Sequence, residues 1–489
     1  MCVPHSGRHW AAVCALLLAL THASNPSLGA ERRELTARPN FILINCDDLG
    51  YGDLGCYGAT RQRTPNIDRL AKEGTRFTSF YSSSGVCTPS RASLMTGCYP
   101  RRVNMHTNGV GYWVLFPGNE RGLNPSEITL AEVLRGAGYA TACIGKWHLG
   151  DQAPFLPTQQ GFDRYFGIPF SNDMGQTRAN GQRDPRRPPT PLMRDTRVIE
   201  EEPDQRQLTR RYTEEALKYI AENRSRPFFL YLANTFPHWP HYASQAFAGK
   251  SANGAYGDCI EELDWSTGQI RGKLDELGLS GRTLVVFTSD NGGVLAHGGS
   301  NGPLRAGKAS SFEGGHRVPC IVWAPGRVPA GVTCDRVWSM LDVLPTFAAL
   351  AGTHPPRDRI LDGFDQRALL AQPGKAQSPY DKAGYFYYYE GHLQAVRSGP
   401  WKLRVARDGP KMGSRPLAPP QLYNLDVDIG ETQDVAAAHA EIVARLLALL
   451  DRCREDIGDG DRPGKNQRPA GQFPGAKPLT PLASPSPRS

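Results

Sequence analysis

Two adjacent carboxylates, Asp47 and Asp48, follow the apolar run N-F-I-L-I-N at 40–45 and Cys46. Side by side they repel unless a cation or a capped turn neutralises them, so the pair reads as part of a divalent-metal site or as a turn or helix cap. A later apolar run ends in S-D-N-G-G at 289–293, which adds the Asp290 carboxylate, the Asn291 amide oxygen and flexible backbone. Hard oxygen donors from two strand ends are what Ca²⁺ or Mg²⁺ prefers. Between them lies C-T-P-S-R at 87–91. Pro89 suits the first position of a helix with Thr88 or Cys87 as its cap, which sets the Cys87 side chain at the positive helix end with Arg91 one turn on. A helix amino terminus with a guanidinium binds oxyanions. By residue type alone, Cys87 is a thiolate nucleophile or a buried structural cysteine.

Such residues need rigid elements behind them. Apolar runs without alternation at 40–45, 140–145, 227–234 and 283–290 suit buried parallel strands. Helical patterns at 64–73, 130–138, 209–223 and 256–277 alternate with them. That order predicts an α/β fold with a mostly parallel sheet and functional residues at the strands' carboxyl ends. Beyond residue 356 the composition shifts. Short runs at 385–389, 394–397, 401–405 and 421–424 read as antiparallel strands, followed by a helix over 431–453, which predicts a small α+β domain at 357–463 after the larger α/β domain at 38–356. The Pro-, Gly- and Ser-rich stretch 464–489 is expected to be poorly ordered.

With 489 residues, 39% hydrophobic and 21% charged, the chain is a folded, loop-rich protein and neither disordered nor collagen-like. Its 56 Lys and Arg against 48 Asp and Glu give a net charge of +8, favouring anionic partners, but the basic residues are scattered and nucleic acid is set aside. A basic and polar opening, an apolar run at 10–20 and Thr21-His22-Ala23 predict a signal peptide over 1–23, then a linker at 24–37. The apolar run is shorter than the roughly 20 residues a membrane span needs. The expectation is an exported protein of periplasm, extracellular space or endomembrane lumen, with no stable membrane span; an uncleaved anchor is the alternative. Of eleven cysteines, Cys2 and Cys14 leave with such a peptide, and the odd remainder of nine flags one that does something other than pair within the chain.

The C-T-P-S-R motif, extended to Thr96-Gly97, resembles the signature of the type I sulfatases, the formylglycine-dependent family. Other parts fit in order: N-F-I-L-I-N-C-D-D-L-G from 40, G-K-W-H-L-G at 145–150, H-W-P-H at 238–241, S-D-N-G-G, and G-K-A-S-S-F-E-G-G-H-R-V-P at 307–319. A-V-R-S-G-P-W-K-L and L-Y-N-L-D extend the likeness into the last domain, over about residues 38–460. The pattern is closest to the arylsulfatase A and galactosamine-6-sulfatase branch.

The resemblance implies an alkaline-phosphatase-like large domain and a small C-terminal domain with an antiparallel sheet. It implies one Ca²⁺ per subunit held by Asp47, Asp48, Asp290, Asn291 and an oxygen of the modified Cys87, which a maturation enzyme oxidises to Cα-formylglycine. Arg91, Lys146, His148, His238 and Lys308 would surround the sulfate. Read singly, Lys146 and Lys308 are surface lysines, His148 a helix cap and His238 a loop residue beside Pro237; the ordered set makes them a site. A sulfate monoester is ringed by negative oxygens, so the cationic shell must neutralise charge and align the attack. The implied nucleophile is one hydroxyl of the aldehyde hydrate, giving a sulfated enzyme. His238 with Lys308 would protonate the leaving group, and His148 would take the proton whose loss from the second hydroxyl expels sulfate. His241 and His297 are candidate substrate contacts, and loops 104–119 and 171–190 are expected to set specificity on a sulfated carbohydrate or lipid headgroup. Two other readings stay open: a phosphate or phosphonate ester hydrolase of the same superfamily, and a non-catalytic protein that binds sulfated glycans.

Overall fold

The computed structural model describes residues 38–408 and 413–479. The expected signal peptide and linker, and residues 480–489, lie outside the described residues. In chain order the large sheet contains β1 (Asn40–Cys46), β2 (Thr75–Tyr81), β3 (Ala140–Gly145), β4 (Arg164–Gly167), β5 (Pro191–Arg194), β6 (Arg197–Glu201), β7 (Phe228–Ala233), β8 (Thr283–Ser289), β9 (Arg317–Trp323) and β10 (Val332–Cys334). They lie in the order β10-β2-β9-β8-β1-β7-β3-β4-β5-β6. The stretch β8-β1-β7-β3-β4 is parallel throughout, while β9 runs antiparallel to both β8 and β2.

The non-alternating apolar runs are explained by burial on both faces. In β1, Phe41 and Leu43 enter one core while Ile42, Ile44 and Cys46 enter the other. Fully burying such a side chain stabilises by about 1.5–3 kcal/mol, so a strand with two apolar faces belongs in the middle of the sheet. On the second face pack α1 (Pro65–Glu73), α4 (Leu208–Glu222) and α5 (Gly254–Glu276), through Ile67, Leu70, Tyr212, Ile260 and Leu263. The first face takes α2 (Cys87–Thr96), α3 (Leu130–Gly136) and α6 (Val343–Leu350). A capping box starts α3, in which Thr129 accepts from the Glu132 amide and Glu132 accepts from that of Thr129.

A four-stranded antiparallel sheet follows, built from β11 (Tyr385–Tyr389), β12 (His392–Ser398), β13 (Trp401–Asp408) and β14 (Ser414–Asn424). The helix expected over 431–453 begins nine residues later, as α7 (Ala440–Asp456). Glu431 instead turns inward with φ 54° and pairs with the buried Lys402 at 2.8 Å. Lys402 also pairs with Glu313 at 3.0 Å, and all three side chains are fully buried. This cluster ties β13 to the segment that follows Lys308. Removing one member of a buried ionic group strands the others, so Lys402→Ala is expected to cost about 3–5 kcal/mol of stability, read as a shift of the urea unfolding midpoint; an unshifted midpoint contradicts it.

The expected disorder beyond 464 does not hold for residues 464–479. Gly471–Gln472 pairs antiparallel with Arg121–Gly122, and Arg468 forms an ion pair with the buried Glu127 at 2.7 Å. Composition tracks missing core-forming residues, but this segment needs no core of its own because it borrows partners from a finished surface.

Candidate active site

Four neighbouring parallel strands, β8, β1, β7 and β3, end on the same edge of the sheet. Beyond those ends come Asp290 and Asn291, Asp47 and Asp48, His238, and Lys146 and His148 respectively. Open α/β sheets bind ligands in this crevice. At the end of β3, Gly145 has φ 114°, and a Cβ there would lie 1.9 Å from the Ala233 carbonyl oxygen. Only glycine lets the chain turn there and aim Lys146 inward. His148 and Asp48 also sit at positive φ, 63° and 65°, so the chain accepts strain where it presents these two side chains.

Helix α2 starts at Cys87 itself, two residues earlier than a Pro89-first helix; Val86 is its cap and contributes no side-chain hydrogen bond. Every residue of α2 is buried, which is why its sequence shows no apolar stripe. Cys87 sits at the amino-terminal end as expected, with Sγ 3.3 Å from Asp47 Oδ1 and 3.6 Å from Lys308 Nζ. Burial, with Asp47 beside it, pushes the thiol well above its ordinary value despite Lys146 and Lys308. A neutral buried thiol is a poor nucleophile, so the thiolate reading of Cys87 is disfavoured.

Around Cys87 three carboxylates face three cations. Arg91 donates through Nε to Asp290 Oδ2 at 2.9 Å and through Nη1 to the Lys146 carbonyl at 2.6 Å, and its Nη2 is 3.6 Å from Asp47 Oδ2. Lys146 pairs with Asp47 and donates to Ser171 Oγ at 3.1 Å. Lys308 pairs with Asp48 at 2.7 Å. Burial raises Asp47 and Asp48, yet the surrounding cations, Lys146 first for Asp47 and Lys308 first for Asp48, hold both below the usual carboxylate range. Burial and the Asp47 charge push Asp290 the other way, against Arg91. Counted as ionised, the three carboxylates balance the three cations.

Asp47, Asp48, Cys87 and His238 offer ligand atoms within 4.8 Å of one another. Asn291 donates through Nδ2 to Asp48 Oδ1 at 2.7 Å, while its buried Oδ1 has no hydrogen-bond partner. An orphaned amide oxygen beside buried carboxylates fits a hard cation. His238, expected beside the sulfate as a proton donor, also lies near the would-be ligands, its Nε2 3.7 Å from Asp48 Oδ2. His148 bonds through Nε2 to the Leu115 carbonyl at 3.0 Å, leaving Nδ1 without a partner. Burial, Lys146 and Arg91 hold it well below the ordinary histidine range, so Nδ1 is a free proton acceptor.

Above Cys87 opens a cavity of about 400 Å³ that His148, His238 and Lys308 also line, with Trp113, Phe116 and Trp239 among its apolar walls. His297 is on this wall, stacked on Trp239 with centroids 5.3 Å apart. His241 packs edge-on against Tyr256 at 5.2 Å. Ser171 was visible in the sequence only as part of a loop, since a lone serine carries no signal. Thr88 reads in the sequence as a helix cap; its hydroxyl instead donates to the His148 carbonyl at 3.0 Å and accepts from the Leu115 amide at 3.2 Å. All nine described cysteines are unpaired.

Comparison with known proteins places this geometry. A family profile described as Sulfatase matches residues 39–353. Arylsulfatase A of Homo sapiens is 40% identical over 448 residues, covering 84% of this chain and 87% of that protein. N-acetylgalactosamine-6-sulfatase of Sus scrofa is 42% identical over 405 residues, covering 79% of this chain and 74% of that one. Among solved structures, Ps i-CgsB in complex with k-i-k-neocarrahexaose superposes with a TM-score of 0.73 at 32% identity, over 85% of this chain and 92% of that one.

Proposed function

The chain belongs to the sulfatase family, with its alkaline-phosphatase-like fold, and hydrolyses sulfate esters; on that premise we propose that its substrate is a sulfated carbohydrate or glycolipid and that Cys87, converted to formylglycine, carries the nucleophile. The observation that supports this most is the placing of Cys87 on the floor of the cavity, between Asp47 and Lys308. The hydrated aldehyde would supply two oxygens, one to attack sulfur and one whose proton loss would release sulfate. Asp47, Asp48, Asp290 and Asn291 would hold Ca²⁺, and its chemistry there would be positive charge for the sulfate oxygens and a lowered pKa for the attacking hydroxyl.

The protein's own groups account for the rest. Lys146, Lys308 and Arg91 supply fixed positive charge in a dry site, where it is worth far more than in water. His148 Nδ1 takes a proton while its Nε2–H stays on Leu115 O, which fixes the tautomer. His238 and Lys308, on the opening side of Cys87, deliver a proton to the departing oxygen. Cys87 is only 2% exposed, so the converting enzyme must reach it before the fold closes. Export through the amino-terminal segment belongs to the same reading; no described helix is long and apolar enough to cross a membrane.

The test is turnover of an aryl sulfate and the matching aryl phosphate, each with and without a chelator. The sulfate is expected to be cleaved faster, and metal removal to slow it by about 10²-fold or more, since a metal supplies several kcal/mol of charge stabilisation. A faster phosphate reaction, or indifference to chelation, overturns the assignment.

A further inference from the structure

A second cavity, of about 370 Å³, adjoins the catalytic one, and Asp173 and Trp239 line both. Its other walls are Arg178, Ala179, Asn180 and Arg187. From Asp173 to Arg187 the loop carries Arg178, Arg183, Arg186 and Arg187 against Asp173 and Asp184, a surplus of two positive charges. One buried carboxylate, Asp184, is shared by Arg178 and Arg186, and the Arg178 side chain remains 43% exposed. The Arg187 guanidinium bonds to neutral acceptors, the Asp173 carbonyl at 2.7 Å and the Gly175 carbonyl at 3.4 Å.

The loop is anchored. Glu202 accepts from the Gln176 and Thr177 amides at 3.0 Å each and from the Thr190 amide at 2.5 Å, closing both ends. Trp239 is 40% exposed, with His297 stacked against it. An indole held in this way offers a flat apolar face to a sugar ring. Asp173 lines both cavities, at the junction that a bound sugar chain would cross.

Resting on the sulfate-ester reading above, we propose that the adjoining cavity is a binding subsite for a second anion, and that the substrate is an acidic oligosaccharide. The sugar bearing the scissile sulfate fills the catalytic cavity over Cys87, and the next sugar crosses Trp239 and sets a carboxylate or second sulfate against Arg178 and Arg187. Each cavity falls within the range of small-ligand pockets and has room for one ring. Guanidiniums pair with planar carboxylates and sulfate oxygens through charge-assisted bonds, which a neutral neighbour would not make.

The test uses the aldehyde-bearing full chain and two disaccharides that share the sulfated sugar, one with a neutral neighbour and one with an anionic neighbour. An aryl sulfate serves as a third substrate. The wild type is expected to favour the anionic-neighbour disaccharide by about tenfold or more in kcat/KM, mostly through KM, with the preference shrinking as salt rises. In the Arg178→Gln/Arg187→Gln double variant the ratio between the two disaccharides is expected to fall to near one. Equal kcat/KM values in the wild type, or a ratio unchanged in the double variant, overturn the subsite while leaving sulfatase activity intact. Cleavage of none of the three overturns the underlying reading, and the subsite with it. Because each variant is scored by a ratio of its own two substrates, a partly unfolded preparation cannot imitate the result.

Discussion

Cys87→Ser is expected to abolish multiple turnover, lowering steady-state sulfate release by about a thousandfold or more, a loss typical of removing the central nucleophile. Serine fits the space, and its Oγ would lie near Asp47 and Lys308 as Sγ does. One oxygen can attack sulfur, but there is then no second hydroxyl on the same carbon for His148 to deprotonate. The serine stays sulfated, and product appears as a burst of at most one leaving group per enzyme. The stability of the variant should be near wild type, because a small buried side chain is exchanged for one of similar size. Rapid-quench kinetics with a chromogenic aryl sulfate separates burst from steady state. Sustained wild-type turnover by the serine variant would remove the reason for proposing an aldehyde.

Arg91→Ala is expected to have the second-largest effect, on stability and catalysis together. The guanidinium is fully buried and neutralises Asp290 and Asp47 while bonding the Lys146 carbonyl. Its removal leaves buried carboxylates uncompensated, at a cost of about 3–5 kcal/mol, and takes away charge that the sulfate requires, with a rate loss of about 10²–10³. Arg91→Lys separates the two effects. A lysine restores one charge but cannot contact Asp290, Asp47 and a carbonyl at once, so stability should recover in part while the rate stays low. Urea unfolding alongside aryl sulfate kinetics checks both. Equal recovery of stability and rate in Arg91→Lys would mean that Arg91 acts only as a counter-charge.

Much of this was legible in the sequence because strands buried on both faces betray themselves as unbroken apolar runs. The segments at 40–45, 140–145, 227–234 and 283–290 coincide within a residue with β1, β3, β7 and β8. Their polar ends lie on one edge of the sheet, so finding the strands also brought Asp47, Asp48, Lys146, His238 and Asp290 together as candidates. Less was legible where partners come from far along the chain. Helix α2 has no stripe because it is buried all round, and Pro89, which suits a first helical position, falls inside its first turn. Glu431 lies in a stretch that reads as helix but is claimed by Lys402 and the amide of Glu313. The second cavity was invisible beyond the loop that carries it, since the Asp173 to Arg187 segment meets Trp239 only in three dimensions.

The central claim is that active enzyme carries an aldehyde at residue 87. The most direct measurement is mass spectrometry of the peptide spanning residues 85–91, isolated from a preparation of known specific activity and split between untreated and hydroxylamine-tagged halves. Residue 87 is expected to be an aldehyde captured by the tag, with a fraction that rises across preparations in proportion to sulfatase activity. A fully active preparation whose residue 87 is unmodified cysteine would contradict it.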